Sequence, residues 1–218
     1  MAKPQGKVQI KWSPEFAYAI GLLVSDGNLS PDKRHFNFTS KDSELVELFK
    51  NALALTNKIG RKARGGETEK KYYVIQFGDV LFYDFCVRIG LHPNKSKTLA
   101  EIKVPRKYFF DFLRGDFDGD GTFHSYWDPR WRSSFMFYTI FVSASKPHID
   151  WLREFIFREL GISGHITKSV TCSVYQLKCA KRESLIVLRA MYRNKKLLSL
   201  SRKKLKIEGV LGIVGESL

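Results

Sequence analysis

The stretch Ala17-Tyr-Ala-Ile-Gly-Leu-Leu-Val-Ser-Asp-Gly27 returns later in the chain as Asp111-Phe-Leu-Arg-Gly-Asp-Phe-Asp-Gly-Asp-Gly121. Aligned without gaps, Gly21 falls on Gly115, and both copies end in Asp-Gly. Small residues recur at every fourth position of the first copy, which places them on one helix face. Such a face lets two helix backbones approach closely, and a following glycine often ends a helix. The repeat therefore predicts two helices that lie side by side and end at the same level.

The two aspartates of the repeat, Asp26 and Asp120, are the first candidates for chemistry. At equivalent helix ends they would lie next to each other, and neighbouring carboxylates resist joint ionisation unless a cation lies close by. Hard divalent cations prefer oxygen ligands, so the pair predicts a Mg²⁺ site. One Asp-Gly alone could equally be a helix cap and turn. The repetition of both the acid and the glycine favours the metal site.

The charge of the chain indicates a polyanionic partner. Among 218 residues, 37 Lys and Arg stand against 22 Asp and Glu, which gives a net charge of +15. A basic excess of this size predicts nucleic-acid binding. No apolar run is long enough to span a membrane, and the first residues lack the apolar segment of a signal peptide. Cys86, Cys172 and Cys179 have no metal-ligand spacing, so we expect reduced thiols and no structural zinc.

Both copies of the repeat are followed by the same series of predicted elements. Alternating residues predict strands and 3.6-residue periods predict helices, in the order helix, hairpin, helix, hairpin, helix. The first half spans residues 13–98, a linker spans 99–104, and the second half spans 105–206. We expect Arg193 to Lys206, at the end of the second half, to be a basic tail. The sequence therefore predicts an α+β fold with two pseudo-symmetric αββαββα halves, joined through the paired motif helices.

One face of each predicted sheet is covered by helices, and the other is open. The strand residues assigned to the open face are polar and basic, as a DNA-binding surface requires. Arg and Lys pair with guanine, Asn and Gln pair with adenine, and antiparallel ribbons can enter the major groove. The residues predicted to contact DNA are Lys33, Arg34, His35, Asn37, Arg61, Arg64, Lys71 and Gln76 in the first half, and Arg130, Arg132, Lys168, Gln176 and Lys178 in the second.

At the repeated stretch the chain resembles the LAGLIDADG homing endonucleases in their two-motif, single-chain form. Ala19-Ile-Gly-Leu-Leu-Val-Ser-Asp-Gly27 and Leu113-Arg-Gly-Asp-Phe-Asp-Gly-Asp-Gly121 match the nine-residue motif of that family. The resemblance implies a saddle-shaped antiparallel sheet surface that binds double-stranded DNA. It also implies a monomeric, Mg²⁺-dependent endonuclease that makes double-strand breaks with short 3′ overhangs. Arg114 and Asp116 depart from the apolar residues of the first copy, so we expect them at a wetter edge or paired with neighbours.

The resemblance also implies roles for individual residues. The two motif aspartates hold the metal, and each serves one DNA strand. The family places a basic residue at the end of each closing helix, where this chain offers Lys95 or Lys97 and Lys195 or Lys196. These lysines would polarise the water network, or they would only bind the DNA backbone. We expect Mn²⁺ to replace Mg²⁺, and Ca²⁺ to support binding without cleavage.

Other interpretations stay open beside the nuclease. The same fold without cleavage would serve an RNA-splicing maturase or a DNA-binding regulator, but both acids are present. An intein needs a nucleophile at its first junction and His-Asn at its last, whereas the chain starts Met-Ala-Lys and ends Gly-Glu-Ser-Leu. An unrelated protein-binding module fits the net charge of +15 poorly. We expect an intracellular, intron-encoded homing endonuclease of the cytoplasm, the nucleoid or an organelle.

Overall fold

The structure is a computed structural model that describes residues 6–63, 65–66, 68–131, 133–169 and 173–218. The predicted α+β repeat of helix, two strands, helix, two strands and helix is confirmed in both copies. No helix in the described residues has the length and apolar composition that crossing a membrane requires. The elements are α1 (Pro14–Ser25), β1 (Gly27–Leu29), β2 (His35–Ser40), α2 (Ser43–Ala52), β3 (Gly60–Lys62), β4 (Tyr72–Gly78), α3 (Val80–Ile89), α4 (Phe109–Gly119), β5 (Thr122–Trp127), β6 (Phe135–Ser143), α5 (Lys146–Leu160), β7 (His165–Lys168), β8 (Tyr175–Ala180), α6 (Lys181–Met191) and α7 (Ser201–Ile213).

Each copy of the repeat forms one four-stranded antiparallel sheet. The strand orders are β1-β2-β4-β3 and β5-β6-β8-β7. In the first sheet Asn37 lies opposite Gln76, and in the second sheet Ile140 lies opposite Lys178. The inner strands of each sheet pair over six residues, 35–40 with 73–78 in the first sheet and 138–143 with 175–180 in the second.

The chain divides into two compact units. The first unit comprises Met1–Lys95 and Ile102–Gly119, and the second comprises Ser96–Glu101 and Asp120–Leu218. The helix α4 of the second motif copy thus belongs to the first unit, together with α1. The boundary between the units falls directly after the last residue of α4.

Capping residues determine where the helices of the first unit begin. The Oγ atom of Ser13 accepts a hydrogen bond from the N–H of Phe16 at 3.1 Å, which satisfies a helix donor that has no internal acceptor. Asp79 caps α3 in the same way, accepting from the N–H of Phe82 at 2.9 Å. The second carboxylate oxygen of Asp79 accepts from the N–H of Val8 at 2.9 Å. One side chain therefore starts a helix and also holds the basic segment before α1.

The core of the first unit is built from stacked phenylalanines. Phe36 and Phe38 alternate with polar residues along β2 and are buried, as the period-two pattern predicts. Phe38 stacks on Phe49 of α2 with ring centroids 4.3 Å apart, and Phe36 stacks on Phe77 at 4.9 Å. The core of the second unit includes Phe123, Phe137, Phe141, Ile149, Leu152, Leu177 and Leu188.

The motif helices α1 and α4 pack against each other inside the first unit with their backbones in contact. A Cβ atom on Gly21 would lie 2.1 Å from the carbonyl oxygen of Phe112. A Cβ atom on Gly115 would lie 2.1 Å from the carbonyl oxygen of Tyr18. Cβ atoms do not approach carbonyl oxygens this closely, so both positions accept glycine alone. The predicted close packing of the two helices is confirmed.

The charged residues of α4 are buried, which corrects the expectation of a wetter edge. Arg114 is fully buried and donates to Asp111 at 3.1 Å, while Asp116 is only 4% exposed. The hydroxyl of Tyr18 donates to Asp118 at 2.8 Å. Arg114, Asp111 and Asp118 can lie in the interior because each has a hydrogen-bonding partner there, without which burial would be very costly. The second expectation for Arg114, that it pairs with a neighbour, is confirmed.

The segment expected to be a basic tail is instead partly helical. Residues 201–213 form α7, and Ile207, Val210 and Leu211 on this helix are buried. The many charged residues between positions 202 and 208 conceal the helical spacing of these apolar residues in the sequence. The prediction of a tail was therefore wrong from residue 201 onwards.

The described cysteines are packed in the interior as free thiols, as expected from the sequence. Cys86 and Cys179 are free thiols and buried. Burial raises the pKa of the Cys86 thiol well above its usual value and raises that of Cys179 to about 12. Cys172 lies outside the described residues.

Filling the glycine contact should destabilise the first unit. In Gly21→Ala the new methyl group would collide with the backbone of α4, which cannot move aside as a flexible side chain can. We expect the free energy of unfolding to fall by about 1–3 kcal/mol in chemical denaturation. Gly209→Ala is the matched control, because in the described residues only the local backbone of α7 lies within 4 Å of a Cβ at this position. Unchanged stability of Gly21→Ala would contradict the backbone contact.

Candidate functional site

Both motif helices end next to an aspartate. Asp26 is the C-cap of α1, is half-buried, and donates its N–H to the carbonyl of Leu22 at 3.0 Å. Helix α4 ends at Gly119, and the exposed Asp120 follows it directly. Neither of these fully described helices has a basic residue in its last turn. The sequence thus places an acid where basic residues are usually favoured.

The ends of α1 and α4 lie against each other within the first unit. A Cβ atom on Gly119 would lie 1.9 Å from the Oγ of Ser25 and 3.4 Å from an Oδ atom of Asp26. The predicted common level of the two helix ends is therefore confirmed. The C-terminus of a helix carries a partial negative charge, and the carboxylate of Asp26 adds to the charge of both helix ends. Negative charge is therefore concentrated at these two helix ends.

A buried lysine binds the carbonyl group that follows each aspartate. Lys95, 7% exposed, donates from Nζ to the carbonyl of Gly27. Lys203, 8% exposed, donates from Nζ to the carbonyl of Gly121 at 2.6 Å. Because the two glycines are equivalent in the repeat, the two lysines occupy equivalent positions. They come from different elements, a single 3-10 turn and the first turn of α7.

The four lysines that the sequence offered as candidates differ in burial and position. Lys95 lies at the end of α1, whereas Lys97, Lys195 and Lys196 are exposed. In the second unit the position equivalent to Lys95 is taken by Lys203, which sequence reasoning missed. The two candidates in this unit directly follow α6, whereas Lys203 comes from the next helix, α7. The signal that could have found it is its place among apolar residues spaced three or four apart in α7.

The open face of the first sheet carries amide side chains in one row. Asn28, Asn37 and Gln76 lie opposite one another on β1, β2 and β4. The Oδ1 atom of Asn37 accepts hydrogen bonds from the Oγ1 of Thr39 at 2.6 Å and the Nζ of Lys62 at 3.5 Å. The oxygen of Asn37 is therefore engaged within the sheet. Amide groups in such a row match the hydrogen-bonding edges of bases.

The equivalent face of the second sheet is more apolar. Thr122, Ile140 and Lys178 form the row that corresponds to the amide row of the first sheet. One step along the inner strands, Val142 lies opposite Gln176. Gln176 and Lys178 thus lie on the open face, as predicted, but their neighbours on β6 are aliphatic.

A turn before β2 presents three of the predicted DNA-contacting residues. Lys33, Arg34 and His35 are exposed, and Lys33 has a positive φ of 63°. Asp32 organises this turn, because its carboxylate accepts from the N–H of Arg34 at 3.2 Å and of His35 at 3.1 Å. The side-chain hydrogen bond with His35 holds the pKa of the Asp32 carboxyl well below its usual range.

Two predicted contact residues lie on the other face of their sheets. Arg61 is paired with Tyr73, and Lys168 with Tyr175, so both side chains share the helix-covered face with these tyrosines. The cations lie over the tyrosine rings, 4.6 Å from the centroid for Arg61 and 5.6 Å for Lys168. Their assignment to the open face was wrong, because strand boundaries set from sequence shifted the alternation by one residue. On β3 the open-face cation is Lys62.

The remaining predicted contact residues lie in turns or outside the described structure. Lys71 and Arg130 are exposed, and each forms an ion pair with a carboxylate two residues earlier, at 3.1 and 3.4 Å. Arg64 and Arg132 lie outside the described residues.

Asp26 and Asp120 each offer a single carboxylate to a metal ion. Within the part of the chain that the structure describes, no three His, Cys, Asp or Glu side chains are grouped to hold a metal ion. Mg²⁺ commonly uses one or two carboxylates and completes its octahedron with waters and substrate phosphates. The half-buried Asp26 and the exposed Asp120 are suited to that mode of binding.

Comparison with solved structures identifies the fold as that of the LAGLIDADG homing endonucleases. The match with the meganuclease I-SmaMI bound to uncleavable DNA covers 93% of this chain and 92% of the I-SmaMI chain, with a TM-score of 0.59 and 12% sequence identity. The match with I-DmoI in complex with DNA and Mn covers 83% of this chain and 97% of the I-DmoI chain, with a TM-score of 0.53 and 15% sequence identity. The N-terminal LAGLIDADG domain of DUF199/WhiA matches 88% of each chain, with a TM-score of 0.55 and 17% identity.

Sequence comparison reaches less of the chain. An uncharacterized protein of Methanocaldococcus jannaschii is 30% identical over 122 residues. The match covers 52% of this chain and 41% of that protein, so the chain spans less than half the length of this relative. No sequence profile of a protein family matches the chain. The fold is thus established by structure rather than by sequence similarity.

Removing the buried lysine of the second unit should destabilise it. Lys203→Met keeps the length of the side chain but leaves the carbonyl of Gly121 without this donor, which we expect to lower the free energy of unfolding by about 1–3 kcal/mol. The control is Lys196→Met at an exposed position, with an expected change within about 0.5 kcal/mol. Chemical denaturation measures both. Equal stabilities of the two variants would show that the lysine is not bound in the interior.

Proposed function

We propose that this chain is a homing endonuclease that binds a long double-stranded DNA target as a monomer and makes a metal-dependent double-strand break with short 3′ overhangs. The observation that carries the proposal is the repeated arrangement at the motif-helix ends. In each copy an aspartate precedes a glycine whose carbonyl binds a buried lysine. A helix cap needs neither the acid nor its repetition. Intron encoding and an intracellular location, in cytoplasm, nucleoid or organelle, belong to the same proposal.

The proposed reaction is hydrolysis of one phosphodiester in each strand. Water adds to the phosphorus, and the bond to one ester oxygen breaks. A bound Mg²⁺ or Mn²⁺ ion would activate the water, offset the negative charge on the phosphate oxygens and stabilise the leaving oxygen. Asp26 and Asp120 would each supply a carboxylate oxygen to a metal and serve one strand. Lys95 and Lys203 would orient water and offset negative charge near the helix ends.

The proposed partner, duplex DNA, is supported by charge and by the two open sheet faces. The net charge is +15, and the amide row of the first sheet matches the base edges of the major groove. The exposed basic residues Lys33, Arg34, Lys71 and Arg130 would contact phosphates or bases near the ends of the strands. In this proposal Lys62 replaces Arg61 as the cation of β3 that faces the DNA.

The alternative is a protein of the same fold that binds nucleic acid without cutting, as an RNA-splicing maturase or a DNA-binding regulator. A domain of DUF199/WhiA shares this fold, so the solved structures of the fold are not all named as endonucleases. The presence of both acids and both buried lysines favours the nuclease. A cleavage assay separates the two functions, because the alternative predicts binding alone.

Neutralising either acid should abolish double-strand cleavage and leave DNA binding intact. Asp26→Asn and Asp120→Asn keep the size of the side chain but lose the charge that holds the metal. The substrate is a supercoiled plasmid library with a randomised insert, from which molecules linearised by the wild type in Mg²⁺ are recovered. The matched control is Asp84→Asn, an exposed acid on α3. We expect the control to cut at the wild-type rate, and all variants to bind the recovered duplex in Ca²⁺.

Two results of this experiment would contradict the proposal. If either motif variant linearises the recovered plasmid at the wild-type rate, that acid is only a helix cap. If the wild type binds a duplex but cleaves nothing in Mg²⁺ or Mn²⁺, the non-cutting alternative is correct.

Binding to duplex DNA should weaken steeply with salt. Each phosphate neutralised by the protein contributes about −0.9 to the slope of log affinity against log salt concentration. The net charge of +15 leads us to expect a slope steeper than about −4, measured by fluorescence anisotropy with a random duplex. A slope near zero would contradict nucleic-acid binding as a whole.

A further inference from the structure

The inner strand β6 of the second sheet carries an aliphatic stripe on the face opposite the one against which α5 and α6 pack. Thr139 and Phe141 are fully buried on the helix side of β6. Because strand residues alternate between faces, Ile140 and Val142 lie on the opposite, open face, where both are half-buried. An aliphatic stripe of this kind is an unusual choice for a surface that has only water as a neighbour.

The corresponding strand of the first sheet is polar at the same positions. Asn28 and Thr122 each follow the glycine that ends a motif copy, and they lie opposite Asn37 and Ile140, respectively. Asn37 and Ile140 are therefore equivalent residues of the two repeats. The next outward residues, Thr39 and Val142, are equivalent in the same way. The two open faces thus have the same geometry but different chemistry.

The difference determines what each face can recognise in a major groove. Amides and hydroxyls bind the hydrogen-bonding edges of bases, whereas an aliphatic side chain has nothing to donate or accept. The apolar group that the major groove presents is the C5 methyl of thymine. An aliphatic residue held against base edges therefore favours thymine. Opposite another base, it leaves the hydrogen-bonding groups of that base without a partner.

We propose that Ile140 and Val142 are specificity-determining residues that recognise thymine methyl groups in the part of the target bound by the second unit. This inference rests on the proposed binding of duplex DNA. The first unit reads its part of the target through the hydrogen bonds of Asn28, Asn37 and Gln76. Lys178 and Gln176, which lie opposite the two aliphatic residues, supply polar contacts beside each methyl group.

A structural explanation of the stripe makes a different prediction. β-Branched residues stabilise inner strands, so Ile140 and Val142 could serve the sheet alone. In that case their replacement would change stability, but the protein would not respond to removal of methyl groups from DNA. Replacing thymine by uracil removes only the C5 methyl and keeps every Watson–Crick hydrogen bond. This exchange therefore isolates the proposed contact.

The experiment uses the full chain and a duplex recovered by binding selection from a randomised 30-base-pair library in Ca²⁺. Each half of the recovered duplex is resynthesised with uracil in place of thymine, and affinities are measured by anisotropy. We expect uracil in one half to weaken binding about fourfold for each contacted methyl group. In Ile140→Asn, which installs the residue of the first unit, and in Ile140→Ala, the response to uracil should shrink accordingly.

Val87→Ala is the matched control, because Val87 is an exposed aliphatic residue on α3 and should leave the response to uracil unchanged. Folding of each variant is checked by thermal unfolding, and the second substitution at position 140 keeps the test decisive if one variant does not fold. If uracil has no effect on the wild type, or if its effect in both Ile140 variants is as large as in the wild type, the inference is overturned while the proposed function stands. If no duplex is recovered, or single strands bind more tightly, the proposed function fails and the inference with it.

Discussion

The backbone contact between α1 and α4 is the constraint on which the rest of the fold depends. At Gly21 and Gly115 the carbonyl of one helix occupies the space where a side chain of the other would begin. Helices that touch in this way cannot slide or separate without losing the contact. The contact therefore fixes the level at which both helices end. Asp26 caps the end of α1, and Asp120 directly follows the end of α4.

The interior next to this contact is charged, which is uncommon in a helix interface. Arg114 and Asp111 form a buried ion pair, and Tyr18 donates to Asp118 across the two helices. Such pairs add little net stability, because desolvation of the charges offsets their attraction. Misalignment of the helices would leave a buried charge without its partner, at a cost of several kcal/mol. We infer that the network selects one register of α1 against α4, while the glycines set how closely the helices approach.

Periodicity and repetition were sufficient to predict the motif helices, their contact, the order of the elements and the face on which Phe36 and Phe38 lie. Sequence reasoning failed where a shift of one residue sets the face of a side chain, and where the partner of a side chain is distant in the sequence. Arg61 and Lys168 were assigned to the wrong face of their sheets, because a shift of one residue in a strand reverses which side chains point to each face. Lys203 reaches the carbonyl of Gly121 from 82 positions away, a contact that no local pattern encodes. The roles of the acids, the lysines and the open faces are predictions, and DNA-binding and cleavage assays test them.

The most direct test of this account is to map the phosphodiesters that the wild-type protein cuts in Mg²⁺. Acids that act from the adjoining ends of two helices should cut the two strands at a fixed, short separation. Sequencing of both ends of the linear products should therefore give one constant 3′ overhang of a few nucleotides on every target recovered. Blunt ends, 5′ overhangs or a variable separation of the cuts would contradict the account, because each requires active groups that the paired helix ends do not hold in place.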